Sequence, residues 1–223
     1  MGRVIVQYHT TKNPITLIGE EAGICYGTDT TDPVKNYKRG KRCIEDGHGR
    51  VLEFPQVYMI LDSYSARVMR EYYTHIGGAP TRLQASTRYI TYDNFAYITP
   101  EFYNDETIDF YKETMDYIAD RYEKLIEEYG MAKEDAANVL PLGMESKVVV
   151  RTNPRQLIDM AGNRECSRAY WEFQEVMRDI KQALSEYSEE WAYLVETQFK
   201  VKCDIAGYCL ESECCGRQEP KTC

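Results

Sequence analysis

The strongest constraint in this chain is an apolar stripe between residues 105 and 129. Ile108, Tyr111, Met115, Ile118, Tyr122, Leu125 and Tyr129 recur at alternating steps of three and four, and Gly130 follows as a stop. Such spacing places every member on one side of a helix, so it predicts a long amphipathic helix over 105–129. Its apolar face must be covered by the rest of the fold, and we read it as a packing face, not a cofactor site. With 223 residues the chain is long enough to bury a core without cysteine staples. The formal net charge of −9 argues against nucleic acid as the main partner, because that partner calls for a basic footprint. No run approaches the length of a membrane span. The first residues, MGRVIVQYHTTKNP, read as a strand and turn without a signal-peptide core, which predicts a cytoplasmic location and mostly reduced cysteines.

Around that helix the chain alternates strand-like and helix-like segments. Val4 to Tyr8, Val57 to Leu61, Arg88 to Tyr92 and Lys147 to Arg151 have strand character from their β-branched and aromatic residues. Residues 27–50 read as an irregular connection or a short polar helix. Ser63 to Tyr73 has helical composition, and a shorter helix is expected from Lys133 to Val139. Asn153-Pro154 combines an N-cap with the residue favoured at the first helical position. If that helix continues, Leu157, Ala161, Arg164, Arg168 and Trp171 share a face, and both arginines need an anionic partner. If Gly162 breaks it, the arginines pair with Glu165 or Glu172 at the surface. The spacing leaves both readings open.

Residues 70–92, REYYTHIGGAPTRLQASTRYITY, carry a Gly-rich turn followed by Gln84, Ser86, Thr87 and Arg88. Backbone N–H groups in such a turn, with Ser, Thr and Arg donors beside them, suit a phosphate or carboxylate. The pattern is not a Walker or Rossmann fingerprint. Ser86 has no His–Asp relay in view, so it reads as a hydrogen-bonding ligand and not a nucleophile. In the C-terminal segment, Cys203, Cys209, Cys214 and Cys215 form a C-x5-C-x4-C-C cluster, which is not one of the usual C-x2-C zinc pairs and reads as a reduced tail or a disulfide before a zinc site. Cys25, Cys43 and Cys166 read as packing residues, and His9 as structural.

The same stretch resembles the signature of the flavin-dependent thymidylate synthases: Arg-His-Arg, a spacer of about seven residues, then Ser-x-Arg. Thr74-His75-Ile76 and Ser86-Thr87-Arg88 occupy those places, with both arginines of the first triplet replaced and a spacer of nine. His48-Gly49-Arg50-Val51-Leu52-Glu53-Phe54 resembles the family's His-rich lead-in, with Phe54 in place of the second His. Ala136-Ala137-Asn138-Val139-Leu140-Pro141-Leu142 is similar to its Ala-Arg-x-x-Leu-Pro segment, with Ala137 at the arginine. Asn153-Pro154-Arg155-Gln156-Leu157, Arg164 and Trp171-Glu172-Phe173 follow its Asn-x-Arg-x-Leu, Arg and Gln-x-Glu pattern.

This resemblance implies an α+β fold, with an antiparallel sheet packed against long helices. It implies one catalytic domain over residues 1–200, with a Cys-rich tail at 201–223, and a homotetramer whose active sites are shared between subunits. The implied reaction is methylation of dUMP to dTMP, with FAD bound, methylenetetrahydrofolate as carbon donor and NADPH as reductant. By the matched positions, Glu71, Gln84, Ser86, Thr87 and Arg88 bind the nucleotide, with Arg88 on its phosphate and Arg82 available as a substitute for the missing arginine. Arg164 polarises the pyrimidine and is the catalytic candidate. Thr74, His75, Ile76, Asn153, Arg155 and Arg168 fall at the flavin site. The altered triplet also admits a relative that hydroxymethylates, acts on another uridylate, or binds flavin and nucleotide without turnover.

Overall fold

The computed structural model describes residues 2–75, 81–100 and 104–221. Four strands, β1 (Arg3–Val6), β2 (Val57–Ser65), β3 (Thr81–Gln84) and β4 (Glu145–Thr152), form an antiparallel sheet in the order β1-β2-β4-β3. In β4 Ser146, Val148, Val150 and Thr152 are buried at every second position, as expected of a strand with one covered face. β2 alternates until Leu61 and Asp62, which are both buried. Ser63 beside them has a φ of 59°, a left-handed backbone uncommon for a residue other than glycine.

Helices fill most of the remaining chain: α1 (Pro14–Cys25), α2 (Pro33–Glu45), α3 (Ala66–Tyr72), α4 (Asp105–Glu127), α5 (Lys133–Ala136), α6 (Pro154–Arg164), α7 (Trp171–Tyr187), α8 (Glu189–Gln198) and α9 (Lys202–Ala206). The α+β class expected from the sequence is therefore the observed one. Among the described residues no helix is long and apolar enough to cross a membrane.

The chain divides into two compact units. The first comprises Met1–Arg3, Leu61–Thr74 and Leu83–Val149. Its core gathers Met115 and Ala119 of α4 with Phe95 and Met144, and Tyr97, Tyr111, Ile118 and Leu140 pack against them. The predicted stripe on α4 is thus a packing face through Tyr122, which is fully buried. Tyr129 departs from the expectation: it lies past the end of the helix and is exposed, because Gly130 at φ 65° turns the chain away.

The second unit comprises Val4–Ile60, His75–Arg82 and Val150–Cys223. Here α1 and α2 cross with glycines at the contact. A Cβ on Gly19 would sit 1.7 Å from the Asn36 carbonyl oxygen, and one on Gly40 would sit 2.0 Å from that of Ile15. Only hydrogen fits at either place. Trp191, Leu157, Met160, Phe173, Met177 and Ile180 are fully buried in this unit.

Several sequence expectations are corrected. Residues 88–92, expected as a strand, form turns, with the Ile90 N–H donating to the Ser86 carbonyl at 3.1 Å. The neighbouring strand lies earlier, at Thr81–Gln84. Of the two readings of segment 27–50, the polar helix is the observed one: α2 lies wholly within it, opened by Asp32, whose Oδ1 accepts from the N–H of Val34 at 2.9 Å. The helix expected from residue 63 begins only at Ala66, since β2 runs on to Ser65. Helix α6 ends at Arg164, so Arg168 and Trp171 do not share its face.

Candidate active site

The site in the second unit is organised by the start of α6. Asn153 is buried, and its Oδ1 accepts from the Gln156 N–H at 3.0 Å, which satisfies one of the open donors of the first turn. Gln156 is then spent twice. Its Oε1 accepts from the Thr152 hydroxyl at 2.6 Å, and its Nε2 donates to the His75 carbonyl at 2.6 Å. These bonds tie the backbone of His75 to a helix more than seventy residues later in the chain.

The His75 ring meets the other end of the same helix. Arg164, in the last turn of α6, donates from Nε to His75 Nε2 at 3.0 Å. Its guanidinium lies over the Phe173 ring at 4.7 Å, and His75 packs edge-on against that ring with centroids 5.7 Å apart. Burial is the larger cause holding the His75 pKa down, the Arg164 charge adds to it, and Asp159 opposes; together they lower it from 6.5 to about 4. His75 is therefore neutral at pH 7. Because Nε2 accepts, the ring proton resides on Nδ1, where it can donate to a ligand.

Two further cations singled out in the sequence, Arg155 and Arg168, lie in this unit. Arg155, in the first turn of α6, forms an ion pair with Glu53. Arg168, past the helix end, donates from Nη1 to the Glu213 carbonyl at 3.2 Å, and the Glu213 carboxylate lies 3.8 Å away. Both side chains are partly exposed, so neither pairing fixes them strongly.

The first unit holds the nucleotide candidates. Gln84 Nε2 donates to the Ser146 hydroxyl at 3.2 Å, and the Ser86 hydroxyl accepts from the Arg88 N–H at 3.2 Å. Arg88 Nε is paired with Glu134 Oε2 at 2.6 Å on an exposed surface. Thr87 is partly buried in the same turn. Glu71 pairs with Arg67 at 3.8 Å and its carbonyl accepts from the Thr74 hydroxyl at 2.7 Å. Beside Ser146 an open cavity of about 270 Å³ is lined by Asp62, Ser63, Ile90, Tyr92 and Lys147. Burial would raise the Asp62 pKa, but Arg3 and Lys147, which bond its two oxygens at 2.7 and 3.1 Å, hold it below the ordinary value. Ile76 lies outside the described residues.

A family model described as thymidylate synthase complementing protein (Thy1) matches residues 5–188. The chain belongs to this family. A flavin-dependent thymidylate synthase from Geobacter sulfurreducens is 27% identical over 186 residues, covering 77% of this chain and 79% of the relative. One from Pyrococcus furiosus is 26% identical over 216 residues, covering 91% and 87%. The fold is similar to a crystal structure of flavin-dependent thymidylate synthase from Helicobacter pylori complexed with FAD and dUMP. The TM-score is 0.70 at 18% identity, over 89% of this chain and 100% of that one.

Within this Thy1 member the structure brings His75, Asn153 and Arg164 together, and Phe173 and Gln156 complete the group. Neither was singled out in the sequence as a site residue. Phe173 sits in the Trp-Glu-Phe stretch and Gln156 in the Asn-Pro-Arg-Gln-Leu stretch, but no local signal tells that they meet His75. Among the described residues no group of three or more His, Cys, Asp or Glu side chains converges for an ion.

Proposed function

We propose that this chain is a flavin-dependent thymidylate synthase that converts dUMP to dTMP, with methylenetetrahydrofolate as carbon donor and NADPH as reductant. The observation that carries the reading is the Arg164–His75 pair over Phe173, in a chain that matches the Thy1 model along most of its length. A guanidinium fixed against an aromatic face stays charged and holds its direction, as a group that stabilises developing negative charge on a pyrimidine must. Arg164 thus polarises the uracil near N3 and lowers the barrier to its attack.

The donor set of the second unit fits FAD. Arg155 and Arg168 are exposed cations whose present carboxylate partners are also solvated, so an anionic pyrophosphate can replace them. The Nδ1 proton of His75 suits an electron-rich acceptor. When bound, the flavin supplies the hydride chemistry that no side chain can. Asn153 and Gln156 keep the His75 backbone in place, and Thr74 and Ile76 complete the assignment at the triplet. For the nucleotide, Arg88 exchanges Glu134 for the phosphate, with Gln84, Ser86, Thr87 and Glu71 as polar neighbours and Arg82 as a further cation. Assembly as a homotetramer with shared active sites, a cytoplasmic location and the absence of a nucleic-acid role belong to the same reading, the last supported by the charge of −9. Residues 1–200 would be the catalytic part and 201–223 the tail.

The deciding experiment is the mass of the nucleotide after anaerobic incubation of dUMP with enzyme, FAD, methylenetetrahydrofolate and NADPH. A methyl group in place of hydrogen is the expected result. A hydroxymethyl product would retain the site and change the reaction, whereas unchanged dUMP with flavin bound would overturn the assignment. Arg164→Ala should reduce turnover at least about a hundredfold, the scale for losing an electrostatic stabiliser, with the circular dichroism spectrum unchanged.

A further inference from the structure

The Thy1 match ends at residue 188, yet the chain continues into a segment that folds back onto the connection between α6 and α7. Arg217 Nη1 donates to the Glu165 carbonyl at 3.1 Å, Arg168 to that of Glu213 at 3.2 Å, and Lys202 Nζ to Asn163 Oδ1 at 2.6 Å. Between the two segments lies a cavity of about 230 Å³, and its wall includes Cys166, Cys203, Cys209 and Cys215. Cys166 comes from the α6–α7 connection and the other three from the tail. Cys166 was read from the sequence as a packing residue; the fold instead places it among the tail thiols.

These thiols are not equivalent. Cys209 is buried, and Cys214 donates to the Gln218 carbonyl at 2.9 Å while accepting from the Gly216 N–H. Burial, first, and then Asp204 raise the Cys203 thiol above its usual pKa. Cys215 is exposed, and hydrogen bonds to its sulfur from the Ser167 side chain, first, and the Arg217 backbone hold its pKa down. Access and thiolate character together make a reactive cysteine. The Ser167 that contacts Cys215 is the chain neighbour of Cys166.

We propose that this cavity is a thiol–disulfide site at which Cys215 reacts with a low-molecular-weight disulfide and Cys166 resolves the adduct into an intrachain bridge. In the first step Cys215 Sγ attacks one sulfur of the small disulfide, forming a mixed disulfide and expelling one thiolate. In the second, Cys166 gives its proton to solvent and attacks Cys215 Sγ, forming the Cys166–Cys215 bond and expelling the other thiolate. Two protein thiols are oxidised to one disulfide, and the small disulfide is reduced to two thiols. The bridge locks the tail against the segment between Arg164 and Arg168. The exchange uses no step of the reaction proposed above, although Arg168, assigned there to the flavin, also lines this cavity.

The test uses the full chain, reduced, desalted and exposed at neutral pH to glutathione disulfide, then alkylated and mapped by peptide mass spectrometry. The expected product links the peptides of Cys166 and Cys215, with the protein lighter by two hydrogens. Cys215→Ser should slow the first reaction about tenfold or more, Cys166→Ser should stop at a mixed disulfide on Cys215, and Cys203→Ser should leave the bridge intact. A stable mixed disulfide in the unmodified chain, a bridge from Cys215 to Cys203 or Cys214, or equal reactivity in the Cys215→Ser protein would each overturn the assignment. Circular dichroism of each variant separates loss of chemistry from loss of fold.

Discussion

The protonation of His75 offers a direct measure of how tightly α6 and residue 75 are joined. In the folded chain its pKa falls from 6.5 to about 4, through burial first and the Arg164 charge second. As pH falls, the unfolded chain therefore binds this proton before the folded one. The stability contributed by the neutral imidazole is present above pH 6.5 and is lost as pH falls from 6.5 towards 4; below 4 both states carry the proton. At about 1.4 kcal/mol per pH unit, complete burial would make the loss about 3 kcal/mol. The ring is only half-buried, so solvent screening reduces the expected loss to about 1–2 kcal/mol. The assay is urea unfolding at pH 7 and pH 4.5 for the native chain and for His75→Gln, which keeps an acceptor but does not titrate. The native chain should lose about 1–2 kcal/mol more than the variant between those pH values. Proton NMR should place the imidazole titration well below 6.5. Arg164→Met should move it only part of the way back, since burial is the larger cause. A His75 that titrates at 6.5, or identical pH dependence in both proteins, would refute the argument.

Three stability predictions follow from the helices of the second unit. Gly40→Ala would place a methyl group 2.0 Å from the Ile15 carbonyl oxygen, and separating α1 from α2 to relieve it should cost about 1–3 kcal/mol in urea unfolding. Glu190→Ala should cost about 1–3 kcal/mol, because Glu190 Oε2 accepts from the N–H groups of Ile15 and Thr16 at 2.7 and 2.9 Å and their donors would lose that partner. Asn153→Ala removes the cap of α6 and should cost about 1 kcal/mol, with a His75 NMR signal shifted through the Gln156 contact.

An element was legible in the sequence where its partners lie within the same short stretch of chain. Helix α4 was legible because its stripe and its Gly130 stop are local. The start of α6 was legible for the same reason, as Asn153 and Pro154 state it within two residues. Helix α1 was not. Asn13 makes no side-chain cap bond, and the first-turn donors are satisfied by Glu190, about 175 residues away. No window along the chain contains both halves of that interaction. The turn at 88–92 shows the converse, since Arg88-Tyr89-Ile90 has strand-forming residues but Arg88 pairs with Glu134 and both Tyr89 and Ile90 face solvent. Intrinsic β preference is weak beside such context.

By itself, then, the sequence determined the α+β class, the long helix, the capped start of α6 and the ordered motifs that place the chain among the Thy1 proteins. These depend on residue type and short spacing, which a linear chain displays. Only the tertiary structure decided that α6 stops at Arg164, that His75 and Arg164 meet over Phe173 with the imidazole neutral, and that Cys166 faces the tail thiols. Each of these joins residues far apart in sequence through burial and hydrogen-bond direction, and neither quantity exists until the chain has folded.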